Sequence, residues 1–320
     1  MKIALIGPGI MPIPTDGWGA VESIIWEYTT RLRLLGHEVD LYNDPNIPNV
    51  CQEIHSKEYD FIHCQYDNHI NLLNRLLKKP FAATSHYGYI CRPQYWDAGY
   101  YDIHREMLNA PGIIALSEEI AQVYRNDGYK GPITVLRNGA SVKRFNQYIN
   151  PSKDIICLGK IESRKQQAKL AQMLGPSMAI DFVGPITDNQ FQLSPEWPSK
   201  YLGTWTREQL YKLLSFYRVL VLPSLGEAAA LVIPEAMAAG CSIVCTEVAT
   251  ANLDERTPGI YVVKDDFGPG IFTAIKTALQ ENEKIRNKIR DYVEKTFDWD
   301  IIVDAYVNAV IPWFQEEWSK

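Results

Sequence analysis

The 320-residue chain lacks a paired cysteine motif, an excess of positive charge and a long apolar run. Its six cysteines form no Cys-x-x-Cys pair and several lie in apolar, strand-like runs, so we expect buried free thiols in a reducing cytosol. The net charge is −6 and neither half is basic, which argues against a nucleic-acid-binding surface. No stretch approaches the roughly 20 apolar residues of a membrane span, and the first residues are not typical of a secretion signal. We therefore expect a cytoplasmic protein and leave peripheral membrane association open.

A dinucleotide-binding glycine turn is also missing. After the apolar run from Lys2 to Ile6, Pro8 interrupts the Gly-x-Gly-x-x-Gly spacing and Pro12 stands at the third glycine position. What remains is a long loop in which Gly17 and Gly19 precede the first helix, and its open amides can approach a phosphate or a sugar. The alternative is a flexible turn whose glycines serve the backbone alone.

Apolar runs alternate with helical patterns in two successive series. A chain of 320 residues exceeds what one hydrophobic core usually organises, so two domains are expected. The opening pattern is a strand, a glycine loop, a helix that stops at Gly36 and a second strand, which is a parallel βαβ unit. A second α/β series follows the polar stretch 146–153. We predict Rossmann-like domains at 1–148 and 149–300, facing a central cleft, and a C-terminal helix over 301–320 that crosses back to the first domain.

Cations follow the first strand of the second series. Lys160 and Lys165 lie in a strand-to-helix loop, where a cleft would need positive charge to hold a diphosphate. The alternative is that both are solvated surface lysines. Further along the chain, Thr206 followed by Gln209 predicts a capping box at the start of a helix.

A segment that ends at Gly240 carries the strongest chemical signal. An apolar strand leads into small residues, and a helix begins near Pro234 and stops at the glycine. Glu235 lies in the first turn of this helix, beside the free amides expected at 231–233, and Glu227 lies on the preceding loop. Carboxylates accept hydrogen bonds from sugar and ribose hydroxyls, and free helix amides stabilise a departing phosphate. The alternative is a carboxylate that only complements the helix dipole and a surface loop residue.

The chain resembles the family 4-like retaining glycosyltransferases of the GT-B fold. Residues 227–240 reproduce the family's pattern of Glu, seven residues and Glu, followed by Ala-Met-Ala-x-Gly. Other segments match in the same order over almost the whole length: GWGAVE, LGHEV, DFIHCQ, ATSHYG, IIALSE, VLRNGASVKRF, CLGKIESRKQ, DFVGP, YLGTWTREQL and FDWD. The resemblance implies a two-domain α/β architecture and a nucleotide-sugar-dependent activity.

The resemblance implies catalytic roles for three residues. Glu227 would contact the transferred sugar. Lys165 would hold the diphosphate, together with Lys160, which stands where the family usually has Arg. His86 matches the family's first-domain histidine and would reach the donor sugar or the acceptor across the cleft.

Donor binding is implied for a second group of residues. Glu235 would hold the ribose hydroxyls, two amides of the same segment would hold the phosphate, and the backbone at Trp205 would meet the base, with a core aromatic as the alternative. The full set is Gly17, Gly19, Lys160, Trp205, Ala230, Leu231, Val232 and Glu235.

The chain departs from the family pattern at three further positions. Ala229 and Ala230 replace the usual Phe-Gly, and the added methyl of Ala230 is expected to crowd the donor sugar or alter its choice. Gln166 replaces a customary glycine after the lysine.

The activity predicted is transfer of a sugar, with retention, from a UDP- or GDP-sugar to a hydroxyl of a glycan, a lipid-linked acceptor or a small molecule. No cofactor or metal is expected, because lysines and helix amides would neutralise the diphosphate. The Asp298-Trp299-Asp300 sequence resembles a metal-binding motif, but it lies at a helix entrance and is expected to be structural. The alternatives are a nucleotide-sugar epimerase of the same fold and a non-catalytic nucleotide-sugar-binding protein.

Overall fold

The computed structural model of the chain describes residues 1–146 and 150–320. The predicted boundary between residues 148 and 149 lies outside the described residues. The chain divides into two compact units. Unit 1 comprises Met1–Thr15, Gly19–Asn138 and Trp299–Lys320, and unit 2 comprises Asp16–Trp18 and Gly139–Asp298.

Unit 1 is built, in its described part, on a six-stranded parallel sheet with the order β2-β1-β3-β4-β5-β6. The strands are β1 (Lys2–Ile6), β2 (Glu38–Tyr42), β3 (Phe61–Cys64), β4 (Ala82–Ala83), β5 (Gly112–Ala115) and β6 (Ile133–Val135). The helices between them are α1 (Ala20–Leu34), α2 (Ile47–His55), α3 (Ile70–Leu76), α4 (Ala98–Met107) and α5 (Glu118–Asn126). The strand order reverses between β1 and β3.

Unit 2 repeats this plan with a sheet of order β12-β11-β10-β7-β8-β9 among the described residues. Its strands are β7 (Lys153–Leu158), β8 (Asp181–Val183), β9 (Lys200–Tyr201), β10 (Tyr217–Leu222), β11 (Ser242–Thr246) and β12 (Ile260–Val263). Its helices are α6 (Gln167–Leu174), α7 (Arg207–Leu213), α8 (Val232–Ala238) and α9 (Gly270–Thr296). The strand order reverses between β7 and β10, and the predicted fold class with two parallel sheets is confirmed.

Burial on both faces of the unit 2 sheet explains why its strands read as continuous apolar runs. Ile156, Leu220 and Ile243 belong to one buried cluster. Their strand neighbours, such as Ile155 and Val219, point the other way and belong to a second cluster. All six cysteines are free, and all but the partly buried Cys91 are buried.

Helix α9 is fastened to the rest of unit 2 by the buried Arg286. Its guanidinium donates hydrogen bonds to the carbonyls of Ser215 and Ala239 at 2.6 Å each, of Tyr217 at 2.9 Å and of Gly240 at 3.1 Å. Gly240 has φ +86, and a Cβ added there would lie 2.7 Å from Arg286 Cγ, so the glycine that ends α8 also makes room for this side chain. Burial lowers the pKa of Arg286, but arginine remains charged at physiological pH.

The C-terminal segment belongs to unit 1 and is not the single regular helix predicted over 301–320. Helix α10 (Trp299–Ala305) is followed by a π-helical turn (Tyr306–Val310) and then by α11 (Ile311–Ser319). Pro312 has no amide hydrogen to donate to the carbonyl four residues earlier, so the α-helical pattern cannot run unbroken through this point. Asp300, in the first turn of α10, pairs with Arg31 at 2.9 Å, in keeping with a structural role for this acidic residue.

The predicted capping box at the start of α7 is confirmed. The Thr206 hydroxyl accepts a hydrogen bond from the Gln209 amide at 3.2 Å, and Gln209 Oε1 accepts one from the Thr206 amide at 2.9 Å. Among the described residues, no helix is both long and apolar enough to cross a membrane.

Two glycines of unit 2 provide a matched test of backbone packing. Gly184, directly after β8, has φ +139, and a Cβ there would lie 2.0 Å from the carbonyl oxygen of Gly159. Gly203 has φ +77, and nothing lies within 4 Å of such a Cβ. We expect Gly184→Ala to lower the free energy of unfolding by about 3 kcal/mol or more, through strain and overpacking, and Gly203→Ala by about 1 kcal/mol through strain alone. Urea unfolding of both variants measures this, and equal losses would contradict it.

Candidate functional site

The site lies at the carboxyl ends of β7 and β10, where the strand order of unit 2 reverses. Ligands of open α/β sheets bind at such switch points, because the loops from adjacent strands leave in opposite directions and open a crevice. The Leu225 amide donates to the Arg164 carbonyl at 2.8 Å, and this bond joins the loop after β10 to the loop after β7. The Thr246 hydroxyl, at the end of β11, donates to the Ser224 carbonyl at 2.5 Å.

Glu227 is the buried carboxylate at the centre of these loops. Its side chain is 8% exposed, and Oε1 accepts a hydrogen bond from the Ser224 hydroxyl at 2.6 Å. Oε1 also lies 3.4 Å from Arg164 Nη1 and 3.5 Å from Lys165 Nζ. Burial by itself would raise the pKa of Glu227, but the two cations and the hydroxyl outweigh it and hold the pKa below its ordinary value. Glu227 is therefore ionised, and the surface-loop alternative is wrong.

The loop after β7 supplies more positive than negative charge. Lys165 is 13% exposed, so the surface-lysine alternative is wrong for this residue. Lys160 is more exposed, lies 3.4 Å from Glu162 and has its Nζ 5.8 Å from the centroid of the Trp18 ring. Arg164, which sequence analysis missed, also pairs with Glu162, at 2.5 Å. In this cluster Lys160, Arg164 and Lys165 each lie within 3.5 Å of a carboxylate of Glu162 or Glu227.

Gln166 adopts the left-handed conformation that glycine would favour. Its φ is 54° and its ψ is 24°, a combination that is strained for a residue with a side chain. Its side-chain amide donates to the carbonyls of Pro223 at 2.8 Å and Asp265 at 3.0 Å. These bonds offset the strain and hold the β7 loop against the segment that follows β10. The glutamine is therefore accommodated in a backbone conformation that glycine would favour.

Glu235 forms a second charged pair near the same strand end. It lies in α8, its side chain is 8% exposed, and its Oε1 is 2.6 Å from Arg207 Nη1 on α7. Arg207 also donates to the Tyr211 hydroxyl at 2.8 Å. Burial opposes the charged guanidinium, but Glu235 and Tyr211 outweigh it and raise the pKa of Arg207. Sequence analysis missed Arg207, because only the fold brings α7 against α8.

The amides at the start of α8 differ from the prediction in one respect. The helix begins at Val232, two residues before Pro234, and the Ile233 amide donates to the Ala230 carbonyl at 3.1 Å. The expectation of a free amide at Ile233 is therefore wrong. Within residues 1–146 and 150–320, the amides of Leu231 and Val232 have no hydrogen-bond partner.

The remaining donor-side residues are placed as follows. Gly17 belongs to unit 2, and a Cβ there would lie 3.7 Å from the Trp205 carbonyl oxygen, whereas Gly19 belongs to unit 1 as the N-cap of α1 with φ +125. The structure thus does not gather the two glycines into one unit. Trp205 is half-buried and packs against the unit 2 core, with its ring centroid 6.3 Å from that of Tyr217. Its contact with a base stays a prediction.

His86 follows β4 in unit 1. Its Nε2 lies 2.9 Å from Gln65 Oε1, and burial lowers its pKa to about 4, so the imidazole is neutral near pH 7. Its contact with a sugar stays a prediction. The other predicted catalytic residues, Glu227 and Lys165, lie together in unit 2.

A conserved-domain comparison assigns the unit that carries these charged loops. The family described as "Glycosyl transferases group 1" matches residues 152–281. Residues 152–281 are thus similar to the group 1 glycosyl transferases. The matched region includes the loops after β7 and β10 and both glutamates. No sequence among the curated proteins matches the chain.

Solved structures share the fold of the whole chain. Sucrose-phosphate synthase from Thermosynechococcus elongatus superposes with a TM-score of 0.79 at 18% identity, covering 98% of this chain and 99% of that one. HepE from Anabaena, in complex with UDP, gives a TM-score of 0.74 at 17% identity, covering 97% and 99%. An E. coli trehalose-6-phosphate structure bound with UDP-2-fluoro glucose gives 0.71 at 11% identity, covering 97% and 99%. The chain therefore has the GT-B fold.

The Gln166 backbone suggests a paired substitution. Gln166→Ala removes both side-chain hydrogen bonds and keeps the strain, whereas Gln166→Gly removes the bonds and relieves the strain. We expect both variants to be less stable than wild type and the glycine variant to be more stable than the alanine variant by about 1 kcal/mol. Urea unfolding measures the difference. An alanine variant at least as stable as the glycine variant would contradict the strained backbone.

Proposed function

We propose that the protein transfers a sugar, with retention of anomeric configuration, from a nucleoside-diphosphate sugar to a hydroxyl acceptor. The observation that carries this proposal is the charged cluster around Glu227 at the switch point of a group 1 glycosyl transferase domain. An excess of positive charge beside an ionised, buried carboxylate suits a ligand that is anionic at one end and rich in hydroxyls at the other.

The cations would hold the donor's diphosphate. Lys160, Arg164 and Lys165 supply the charge, and the amides of Leu231 and Val232 supply hydrogen-bond donors. When the diphosphate binds, it pairs with some of the cations that lie beside Glu227 in the free protein. UDP is the favoured nucleotide, since two HepE structures of the same fold contain UDP and UDP-glucose.

The two glutamates would bind different parts of this donor. Glu235 would accept hydrogen bonds from the ribose hydroxyls, with Arg207 holding its carboxylate in place at 2.6 Å. Glu227 would accept hydrogen bonds from the sugar, and its negative charge would favour the positive charge that develops at the anomeric carbon. The methyl of Ala230 narrows the space for the sugar and is proposed to limit which donors are accepted.

The proposed reaction takes place on one face of the donor sugar. The acceptor oxygen bonds to the anomeric carbon while the bond from that carbon to the diphosphate oxygen breaks. The departing phosphate oxygen takes the proton of the acceptor hydroxyl. The products are the glycoside and the nucleoside diphosphate. The cations stabilise the charge on the leaving group, so the reaction is proposed to proceed without a divalent metal.

A donor panel tests the proposed function. The protein is incubated with UDP-, GDP-, ADP- and dTDP-sugars and an acceptor panel, and nucleoside diphosphate release and the product's anomeric configuration are measured by NMR. We expect an α-configured product from an α-linked UDP-sugar, with turnover unchanged by EDTA. Inverted product, or loss of turnover on chelation, would overturn the respective part. An epimerised sugar without acceptor would indicate an epimerase, and binding without turnover a non-catalytic protein.

Lys165 offers a sharper test of diphosphate binding. We expect Lys165→Met to weaken UDP binding by about 10- to 100-fold, the effect of losing a charge-assisted hydrogen bond. Lys169→Met is the matched control, because Lys169 lies on α6, is exposed, and donates to the Asp266 carbonyl at 2.8 Å instead of facing Glu227. Isothermal titration with UDP compares the two variants. Equal losses would indicate a general charge effect and would contradict a specific role of Lys165.

A further inference from the structure

A continuous chain of hydrogen bonds runs through the interior of unit 1 and ends at His86. Its internal members are Gln65, His63, Thr84 and Tyr306, each at most 2% exposed. His63 Nε2 lies 2.9 Å from the Thr84 hydroxyl, and His63 Nδ1 lies 3.1 Å from the Tyr306 hydroxyl and 3.4 Å from Gln65 Nε2. Gln65 Oε1 then meets His86 Nε2 at 2.9 Å.

The far end of this chain decides which nitrogen of His63 carries its proton. The Thr84 hydroxyl lies 2.9 Å from the backbone carbonyl of Ile114, and a carbonyl can only accept, so Thr84 donates its single hydrogen there. Thr84 must therefore accept from His63, and the proton of His63 is on Nε2. His63 Nδ1 is then left as an acceptor for the Tyr306 hydroxyl and for the side-chain amide of Gln65.

The same logic continues outward to His86. Because Gln65 uses its NH₂ group toward His63, its oxygen faces His86. An amide oxygen can only accept, so the proton of His86 is on Nε2 and its Nδ1 carries a lone pair. Among the described residues, His86 Nδ1 has no hydrogen-bond partner, and it is not among the buried polar atoms that lack one, so it is open to solvent or a ligand.

We propose that Thr84, His63 and Gln65 are positioning residues that hold His86 in the tautomer with its proton on Nε2 and its lone pair on Nδ1. His86 thereby presents a hydrogen-bond acceptor, which binds a hydroxyl group and not an anionic oxygen. If the proposed function is correct, that hydroxyl belongs to a sugar or an acceptor alcohol. The opposite tautomer would require a reversal of the hydrogen bonds along the chain and would leave buried donors or acceptors unpaired.

The tautomer can be measured directly, without any substrate. Long-range ¹H–¹⁵N spectra of the ¹⁵N-labelled full-length chain distinguish a protonated from an unprotonated ring nitrogen, and the spectrum of His86→Gln identifies the His86 signals among the six histidines. We expect wild-type His86 to be a single tautomer protonated at Nε2 at pH 7.5. A His86 protonated at Nδ1, or an even mixture of tautomers, would overturn the proposal.

Thr84→Val is the decisive variant, because it acts on His86 from three hydrogen bonds away. It removes the acceptor of the His63 Nε2 proton, so His63 should shift its proton to Nδ1, Gln65 should turn its amide, and His86 should gain the Nδ1 tautomer. Gln65→Leu breaks the chain next to His86 and should give a mixture of tautomers. If both folded variants keep the wild-type tautomer, the chain does not position His86. If Thr84→Val does not fold, Gln65→Leu decides.

Tyr28→Phe is the matched control. Tyr28 packs in the same aromatic cluster, with its ring centroid 4.9 Å from that of Tyr306, but its hydroxyl takes no part in the chain. It should leave the His86 tautomer unchanged. Where a donor is turned over, Thr84→Val should lower kcat at least tenfold and leave the affinity for UDP, which lacks the sugar, unchanged. If no donor is turned over, that result would count against the proposed function but not against the tautomer proposal, because the tautomer is measured without a donor.

Discussion

A buried ionised carboxylate is the constraint around which the second unit is organised. Glu227 is kept charged in the interior only because Arg164 and Lys165 lie within 3.5 Å and Ser224 donates a hydrogen bond. Those groups come from loops after two different strands, so the loops must meet closely. The left-handed backbone of Gln166, whose side chain bonds to the Pro223 carbonyl, and the bond from Leu225 to Arg164 both serve that approach. The backbone strain in these loops is thus a consequence of bringing them together around the charged Glu227.

The buried polar groups of the two units differ in charge. Unit 2 brings together fully charged groups, three cations and two carboxylates, in the loops after β7 and β10. The polar chain in unit 1 is neutral, and burial lowers the pKa values of His63 to about 3 and of His86 to about 4. The direction of each hydrogen bond, and not charge, orients the side chains in that chain. Salt therefore does not weaken this orientation. Charged groups interact strongly, whereas a neutral chain of directed hydrogen bonds distinguishes hydrogen-bond donors from hydrogen-bond acceptors.

Sequence analysis was most successful where the physical signal is local. Apolar runs between helical patterns predicted both parallel sheets, and the spacing of Thr206 and Gln209 predicted a capping box that the structure contains. The cations after β7 and the two glutamates were found because each follows a strand of the same sheet. Arg207 and Gln65 were missed, because their partners lie 28 and 21 residues away and meet them only through tertiary folding. Helix α9 was missed despite its helically spaced Ile271, Ile275 and Ala278, and the π-helical turn has no sequence period of its own.

The hydrogen bonds of Arg286 indicate that the segment needed to fold unit 2 is longer than the segment that matches the group 1 family. The group 1 match stops at residue 281, inside α9, whereas Arg286 lies beyond it and supplies the hydrogen bonds of four main-chain carbonyls around β10 and α8. A fragment trimmed to the match would lose the hydrogen bonds that Arg286 donates to these carbonyls and would leave empty the space beside Gly240 that the arginine fills. Producing unit 2 as an independent protein therefore requires the remainder of the helix, up to the end of the unit at Asp298.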